Sequence, residues 1–161
     1  MARSRVPLAT YRLQLNSGFR FADARATVPY LSRLGITDVY ASPILRARRG
    51  STHGYDVTCP LSLNPELGTG QDFKALTGGL HRRHMGLLLD IVPNHMAADM
   101  DNPWWMDVLE NGQGSPYARY FDIDWRPAAG AAGKVVLPIL DGPLDSVLER
   151  QGLQLTLDEG G

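Results

Sequence analysis

The sequence predicts an α/β fold built on a parallel sheet, and three observations support that prediction. Apolar segments of β-type composition alternate with helix-like segments along residues 8–92. Both helix-like segments are followed by a glycine, Gly35 or Gly86, which suits the end of a helix. The third apolar segment, residues 87–92, is stopped by Pro93. Strands that alternate with helices pair in parallel, because each helix crosses over the sheet to the next strand.

The first strand and the first helix follow from composition and period. Residues 8–15 have β-type composition and end at the turn-forming residues 16–18. Residues 22–34 have a helical period, with apolar side chains on one face and Asp23 in the first turn. Pro29 falls inside this helix and is expected to kink it or to delay its start.

The same alternation continues further along the chain. Residues 37–45 predict a second strand, and residues 46–70 predict a long loop, rich in turn residues, of a length that is usually functional. Residues 71–85 predict a second helix with cations in its last turn, where they favour the helix dipole. Residues 87–92 predict the third strand. Beyond residue 95 the regularity ends.

Three parallel strands have two open edges, and a sheet so small is poorly covered. The order of elements is that of the first three βα units of a TIM (β/α)8 barrel, which needs about 250 residues when complete. We therefore predict the first part of such a barrel in residues 1–95. Residues 96–161 are then the start of a subdomain inserted after the third strand, incomplete within 161 residues.

Composition excludes several classes of protein. A net charge of −1 argues against a nucleic-acid partner, which requires a concentrated basic face. No apolar run approaches the roughly 20 residues of a membrane span, so no membrane partner is expected. Cys59 is the only cysteine, so no intrachain disulfide can form, and a cytoplasmic location is expected.

The most informative residues stand at the end of the third predicted strand. Asp90 is a charge within a strand that is buried on both faces, which is costly unless the charge has a partner or a function. Asn94 and His95 follow at once, where parallel sheets place their ligands. Asp90 could instead only brace a neighbouring loop, and His95 could merely satisfy a carbonyl. Because Asp90 and His95 are close in sequence at the end of one strand, a polar ligand site is favoured.

A second group of polar residues lies in the loop after the second predicted strand. Gly50 and Gly54 permit tight backbone turns, and His53, Tyr55 and Asp56 stand between and beyond them. A flat aromatic face with fixed donors and acceptors suits a sugar ring. A tight turn with solvated side chains is the alternative. Because loops after neighbouring strands open at the same end of a barrel, the functional interpretation is favoured.

A third group is aromatic and lies beyond residue 95. Trp104 and Trp105 are followed by Tyr117, Tyr120, Phe121 and Trp125. These rings could stack on sugars, although for most of them packing within a small subdomain is favoured. No metal site is expected, because His53, Asp56, Asp90, Asn94 and His95 lack the spacing of a zinc site and no calcium-loop pattern is present. No cofactor is expected either.

Several motifs resemble a known family. Asp-Ile-Val-Pro-Asn-His, at residues 90–95, resembles the first signature region of the α-amylase superfamily, glycoside hydrolase family 13. His53-Gly54-Tyr55 resembles the superfamily's sugar-stacking motif. Longer matches resemble the N-terminal part of the maltooligosyltrehalose synthases, a branch of that superfamily; they lie at residues 9–15, 50–57, 102–111 and 115–125.

This resemblance implies an isomerase that converts the reducing-end α-1,4 linkage of a maltooligosaccharide into an α,α-1,1 linkage. It implies that Tyr55 stacks on the sugar, His53 binds nearby and His95 bonds to hydroxyls of the same ring. Asp90 would orient neighbouring groups and Asn94 would support the loop. The substrate-binding set is completed by Asp56, Trp104 and Trp105, and the substrate would be a maltooligosaccharide or another α-1,4-glucan.

The resemblance places no catalytic residue in this chain, because the superfamily's nucleophile and general acid follow later strands. Two alternatives remain open: a truncated, non-catalytic carbohydrate-binding fragment, or another glycoside hydrolase of the α-amylase type. A doubly wound nucleotide-binding domain is disfavoured, since the first strand leads into residues 16–19 without a glycine-rich phosphate loop.

Overall fold

A computed structural model describes residues 6–126, 133–137 and 139–154. In chain order the elements are β1 (Thr10–Leu13), α1 (Phe21–Arg33), β2 (Asp38–Ala41), β3 (Leu45–Ala47), β4 (Val57–Leu63), α2 (Gly70–His81), β5 (Gly86–Leu89), α3 (Pro103–Asn111) and α4 (Leu144–Glu149). Short 3-10 turns occur at Pro65–Leu67, Gly112–Gly114 and Ala118–Tyr120. In the described part of the chain, no helix has the length and apolar character needed to cross a membrane.

The central feature is a three-stranded sheet in the order β1-β2-β5, in which both pairs of strands are parallel. The parallel pairing predicted from the alternation of strands and helices is therefore confirmed. The register sets Arg12 beside Tyr40 and Tyr40 beside Leu88. Successive side chains of a strand point to opposite faces, so these three share one face of the sheet.

The hydrophobic core lies on the other face of the sheet, against α1 and α2. Val39 and Ala41 of β2 point into it, and Phe21 and Val28 of α1 are buried there. Burying a side chain of that size contributes about 1.5–3 kcal/mol. The remaining buried members of this core are Leu13, Leu15, Ala24, Leu31, Ile44, Leu67, Leu76, Leu80 and Met85. Helices α1 and α2 therefore cover the core face of the sheet, and neither helix covers the face that carries Arg12.

Each helix begins at a cap that the sequence supplies. At α1, Asp23 accepts a hydrogen bond from the backbone of Arg20 at 2.8 Å. At α2, Thr69 and Asp72 form a capping box. Helix α1 begins at Phe21, so Pro29 does not delay its start. Helix α2 ends at His81, four residues before the predicted end.

The prediction of a loop over residues 46–70 is wrong, because β3 and β4 form an antiparallel hairpin there. Pro43 separates β2 from β3, which explains why the predicted second strand divides: proline offers no N–H to a sheet. The pairing of β3 with β4 is irregular in register and spans a nine-residue loop, residues 48–56. The alternation of apolar residues in Val57–Leu63 was a strand signal, with Pro60 against it.

The third strand is shorter than predicted, and its end sets the position of Asp90. β5 stops at Leu89, and the backbone N–H of Asp90 still donates to Ala41 at 2.9 Å. Asp90 therefore stands at the carboxyl end of the strand. The following segment returns to the hairpin, where Ala97 donates to the carbonyl of Val57 at 2.8 Å.

Candidate functional site

Three donors converge on one oxygen of Asp90. Its Oδ2 accepts from the Tyr55 hydroxyl at 2.7 Å, the Tyr40 hydroxyl at 2.9 Å and Arg12 Nη1 at 3.1 Å. The donors come from the hairpin loop, from β2 and from β1, so Asp90 joins three segments that are distant in sequence. These four residues are called the polar corner below.

Arg12 connects the polar corner to the edge of the sheet. Its Nη2 donates to the Tyr55 hydroxyl at 3.0 Å and to Gln14 Oε1 at 3.2 Å. Its guanidinium also lies 4.7 Å from the centre of the Tyr40 ring. Gln14 in turn donates to the backbone carbonyl of Thr52 at 3.2 Å. The hairpin loop is thereby fastened to β1.

The hydrogen bonds of the polar corner set its charges. The bond from Tyr55 lowers the pKa of Asp90 below its usual value, with further contributions from Tyr40 and Arg12, and these outweigh the opposing effect of desolvation. The bond to Asp90 raises the pKa of Tyr40 above its usual value. At neutral pH Asp90 is therefore a carboxylate and Tyr40 a neutral phenol.

The loop before Tyr55 is shaped by its own side chains. Ser51 Oγ donates to Asp56 Oδ1 at 2.5 Å and accepts from the backbone of Gly54 at 3.0 Å. The backbone of Tyr55 donates to His53 Nδ1 at 3.1 Å, so that nitrogen is an acceptor. Gly54 has a φ of 77°, and a Cβ there would lie 3.0 Å from the carbonyl oxygen of Pro43.

A cavity of about 570 Å³ opens beside Asp90. The segment after β5 lines one side of it, including His95, whose Nδ1 lies 3.1 Å from Asn94 Oδ1. Much of the lining is apolar or aromatic, which is typical of ligand sites with few orienting polar groups. The other lining residues are Pro43, Leu45, Val57, Pro60, Ile91, Val92, Pro93, Met96, Ala97, Ala98, Trp104, Trp105, Tyr120, Phe121 and Asp122.

Five aromatic rings, four of which line the cavity, pack on one another in two groups and are called the aromatic wall. These are Trp104, Trp105, Tyr117, Tyr120 and Phe121. The Trp104 ring stacks on Tyr117 with centroids 5.2 Å apart and planes at 11°. The Trp105 and Phe121 rings meet with centroids 5.3 Å apart. One face of Trp104 is thus already occupied by protein.

Asn102 holds the aromatic wall in place. Its side chain is completely buried, and its Oδ1 accepts from the backbone N–H groups of Trp104 and Trp105 at 3.1 and 3.2 Å. Its Nδ2 donates to the carbonyl of Ala97 at 2.9 Å. One amide therefore caps α3 and fixes the preceding loop. Arg48 of the hairpin loop forms an ion pair at 2.5 Å with Asp99, which lies in that preceding loop.

The structure separates the predicted site residues into two groups. Asp90, Asn94, His95, Trp104 and Trp105 line the cavity. Tyr55 is not among the lining residues, but its hydroxyl bonds to Asp90, and the His53 ring stacks on the Tyr55 ring with centroids 5.8 Å apart and planes at 19°. Asp56 is bound to Ser51 within the hairpin loop, and neither His53 nor Asp56 belongs to the cavity lining.

Arg12, Gln14 and Tyr40 were not anticipated from the sequence. A signal for Arg12 was available, because it is a charge within an apolar strand, the same anomaly that singled out Asp90. Across residues 6–126, 133–137 and 139–154, no three His, Cys, Asp or Glu side chains are grouped so as to hold a metal ion.

Comparison with known proteins gives related sequences and structures. The family model described as "Alpha amylase, catalytic domain" matches residues 25–140. A "Putative maltooligosyl trehalose synthase" of Mycobacterium tuberculosis is 44% identical over 145 residues, which are 86% of this chain and 19% of that protein. An "Intracellular maltogenic amylase" of Bacillus subtilis is 38% identical over 94 residues, 58% of this chain and 15% of that protein.

Solved structures agree with these matches. A maltooligosyltrehalose synthase from Arthrobacter ramosus is 46% identical with a TM-score of 0.72, covering 74% of this chain and 16% of that one. A structure titled "Crystal Structure of Maltooligosyl trehalose synthase" gives a TM-score of 0.85 at 40% identity, covering 96% of this chain and 21% of that one.

The chain spans about a fifth of the length of these relatives. Its mixed α/β architecture is a partial form of the α-amylase TIM-barrel fold. The family model matches more than half of the chain, and the chain therefore belongs to the α-amylase catalytic domain family.

Proposed function

We propose that this chain is part of a maltooligosyltrehalose synthase. Such an isomerase converts the reducing-end α-1,4 linkage of a maltooligosaccharide into an α,α-1,1 linkage. The 44% identity to the Mycobacterium tuberculosis relative over 86% of this chain supports the assignment. The observation that carries it is the polar corner, whose Asp90 opens onto a cavity that also contains His95.

The proposal includes a division of the chain. Residues 1–95 supply the first three βα units of the catalytic barrel, with the β3–β4 hairpin as the loop after the second barrel strand. Residues 96–161 begin a subdomain inserted after the third barrel strand. The concentration of buried core residues between Leu13 and Met85 supports this boundary.

The polar corner and the cavity suit one glucose unit. Tyr55 presents a ring that is half-buried, held at its hydroxyl by Asp90 and Arg12. A sugar can stack its C–H face on such a ring while its hydroxyls bond to His95, which is exposed at the cavity. In this proposal Asp90 orients Tyr55, Asn94 supports His95, and His53 and Asp56 shape the loop.

The reaction retains the configuration at one anomeric carbon, which requires two displacements. A carboxylate nucleophile takes the glycosyl chain while a general acid protonates the departing glucose. The glucose then attacks through its anomeric hydroxyl. We assign the nucleophile and the acid to later barrel strands, outside this chain. The first three strands bind and orient the sugar.

Water must be kept from the glycosyl intermediate, since hydrolysis competes with return of the glucose. Trp104 and Trp105 are proposed as part of that enclosure. They line the cavity and are held by the Asn102 cap and by ring packing. A site of action in the cytoplasm fits a chain whose single cysteine cannot form an intrachain disulfide.

The test replaces the corresponding segment of the Mycobacterium tuberculosis relative with residues 1–161. This chimera should convert maltopentaose into glycosyltrehalose with little free glucose. His95→Ala in the chimera should lower kcat/KM by about 100-fold, equivalent to the loss of about 3 kcal/mol of hydrogen bonding to the sugar, and leave Tm within a few degrees.

His81→Ala is the matched control, because His81 is exposed in the last turn of α2, away from the cavity. Equal activity of the His95→Ala chimera and its parent would contradict a sugar-binding role for His95. A folded chimera that releases mainly glucose would favour a hydrolase of the α-amylase type.

The chain by itself should produce no glycosyltrehalose from maltopentaose, because the proposed nucleophile and acid lie elsewhere. Robust turnover by residues 1–161 would show that this placement is wrong. Binding of maltopentaose without turnover is expected, and it is also what a non-catalytic carbohydrate-binding fragment would show. Activity of the chimera separates these two functions.

A further inference from the structure

Arg12 makes more contacts in the polar corner than neutralisation of Asp90 requires. Its Nη1 bonds to Asp90 at 3.1 Å, and its Nη2 bonds to both the Tyr55 hydroxyl at 3.0 Å and Gln14 at 3.2 Å. It lies in the middle of β1, on the sheet face turned away from the helical core. One guanidinium thus contacts the strand end and the hairpin loop together.

These contacts fix Tyr55 in two directions. The Tyr55 hydroxyl donates to Asp90 at 2.7 Å and accepts from Arg12 at 3.0 Å. A hydroxyl that donates to one group and accepts from another has little freedom to move, so the ring that carries it is held at its outer end. His53 packs against that ring, with nearly parallel planes.

The charge of Arg12 alone does not explain this geometry. Asp90 already accepts from two hydroxyls, Tyr55 and Tyr40, and an ammonium could supply a positive charge equally well. Only a planar guanidinium offers two parallel donors that reach separate partners from one fixed group. The geometry therefore distinguishes two roles of Arg12. A lysine could replace its positive charge, but a lysine could not replace its bridge between Asp90 and Tyr55.

We propose that Arg12 is a positioning residue that holds the Tyr55 ring in the orientation in which it stacks on a sugar. The inference rests on the proposed function, because it assumes that Tyr55 contacts a glucose unit. The inference adds Arg12, a residue of β1, to the site. Its role is to bridge Asp90 and Tyr55, rather than to neutralise the charge of Asp90.

The test uses the full 161-residue chain and maltopentaose. Affinity is measured by titration, and the Tyr55 hydroxyl is followed by the NMR signal of its ring carbon Cζ in tyrosine-labelled protein without sugar. The variants are Arg12→Lys, Arg12→Gln, Tyr55→Phe and the double variant Arg12→Lys/Tyr55→Phe. Arg83→Lys is the matched control, because Arg83 is exposed and follows α2, outside the cavity lining.

Arg12→Lys and Arg12→Gln should each weaken maltopentaose binding about tenfold, the effect of losing one charge-assisted hydrogen bond. Arg12→Lys should also shift the Tyr55 Cζ signal. Tyr55→Phe should weaken binding to a similar degree, and the double variant should be no weaker than either single one, because both changes break the same bridge. Arg83→Lys should behave as wild type.

Wild-type affinity and an unshifted Tyr55 signal in Arg12→Lys would overturn the inference, since charge alone would then suffice. Additive losses in the double variant would do the same. Wild-type protein that does not bind maltopentaose would contradict the proposed function instead, and the Tyr55 signal of Arg12→Lys would still decide whether Arg12 positions the ring. Circular dichroism of every variant shows whether it is folded, and the exposed position of Arg12 favours folding.

Discussion

The polar corner, which meets the cavity at Asp90, and the aromatic wall are held in place by different kinds of interaction. The polar corner is a set of hydrogen bonds around one carboxylate, carried on strands whose other face is packed against two helices. The aromatic wall is a set of stacked rings that depends on a single buried amide, Asn102. The polar corner is held rigid by the hydrophobic core behind the sheet, whereas the aromatic wall is held by its own ring packing and by Asn102.

The distribution of buried side chains explains this difference. Within the described residues, most buried hydrophobic side chains lie between Leu13 and Met85, whereas the later segment contributes only Ala97, Val108 and Val147. Regions with few buried apolar contacts open at low free energy. The aromatic wall is therefore expected to open locally while the polar corner remains intact, so that the sugar enters against a fixed surface.

The largest effect is expected for Asn102→Ala, which should loosen the aromatic wall alone. The change removes an N-cap, worth up to about 2 kcal/mol, and leaves the Ala97 carbonyl without its donor, which costs about 1 kcal/mol more. Amide hydrogen exchange should therefore show α3 destabilised by about 3 kcal/mol, with β2 unchanged.

Asn111→Ala provides the control for this measurement. Asn111 is exposed, and its side chain makes no capping hydrogen bond, so a loss of less than about 0.5 kcal/mol is expected. Equal loss of protection in α3 and β2 after Asn102→Ala would show that the aromatic wall and the polar corner unfold together.

A smaller effect is expected for Gly54→Ala, which acts on the loop that carries Tyr55. The change forces a side chain into the left-handed region and against the carbonyl of Pro43, at a cost of about 2 kcal/mol in urea denaturation. Gly50→Ala is the matched control: its φ is 75° but its surroundings are open, so the cost should be about 1 kcal/mol. Equal costs would mean that contact with Pro43 does not fix the loop.

The smallest effect concerns the pH dependence of the polar corner. Because the folded pKa of Asp90 lies below the unfolded value of about 3.9, ionised Asp90 stabilises the fold at pH 5–7, and this contribution disappears as the pH falls through the folded pKa. Asp90→Asn should therefore be less stable than wild type by about 1 kcal/mol or less at pH 6. That difference should shrink toward pH 2.

A difference between wild type and Asp90→Asn that stays constant from pH 6 to pH 2 would refute the ionic role of Asp90. The same substitution should also lower the pKa of Tyr40, whose elevation comes first from its bond to Asp90, and this can be followed by ultraviolet titration.

The sequence predicted the parallel strands because each has a local apolar pattern, and the helices because period and caps are also local. The β3–β4 hairpin was missed because its pairing joins Leu45 to Leu63 across a loop. The partners of Asp90 were missed for a similar reason, since Arg12 lies 78 residues away from it in the chain and Tyr40 lies 50.

The sequence predicted that a charge at Asp90 would be costly unless it had a partner or a function, and the structure supplies the partners. The Asp90 carboxylate accepts three hydrogen bonds, from Tyr55, Tyr40 and Arg12. These ordered donors offset the cost of placing a charge at the end of the strand. Of the two alternatives considered for the aromatic residues beyond residue 95, the structure shows packing for the five rings of the wall, and stacking on a sugar stays a prediction. Four of the five rings of the wall also line the cavity.

The most direct measurement is an NMR titration of the isotopically labelled chain with maltopentaose, recording Tyr55, Asp90 and His95 together. The signals of all three residues should move with one dissociation constant, and the exposed end of α2 at His81 should not respond. Shifts confined to other surfaces, or separate dissociation constants for Tyr55 and His95, would contradict a single glucose site shared by the hairpin loop and the end of β5.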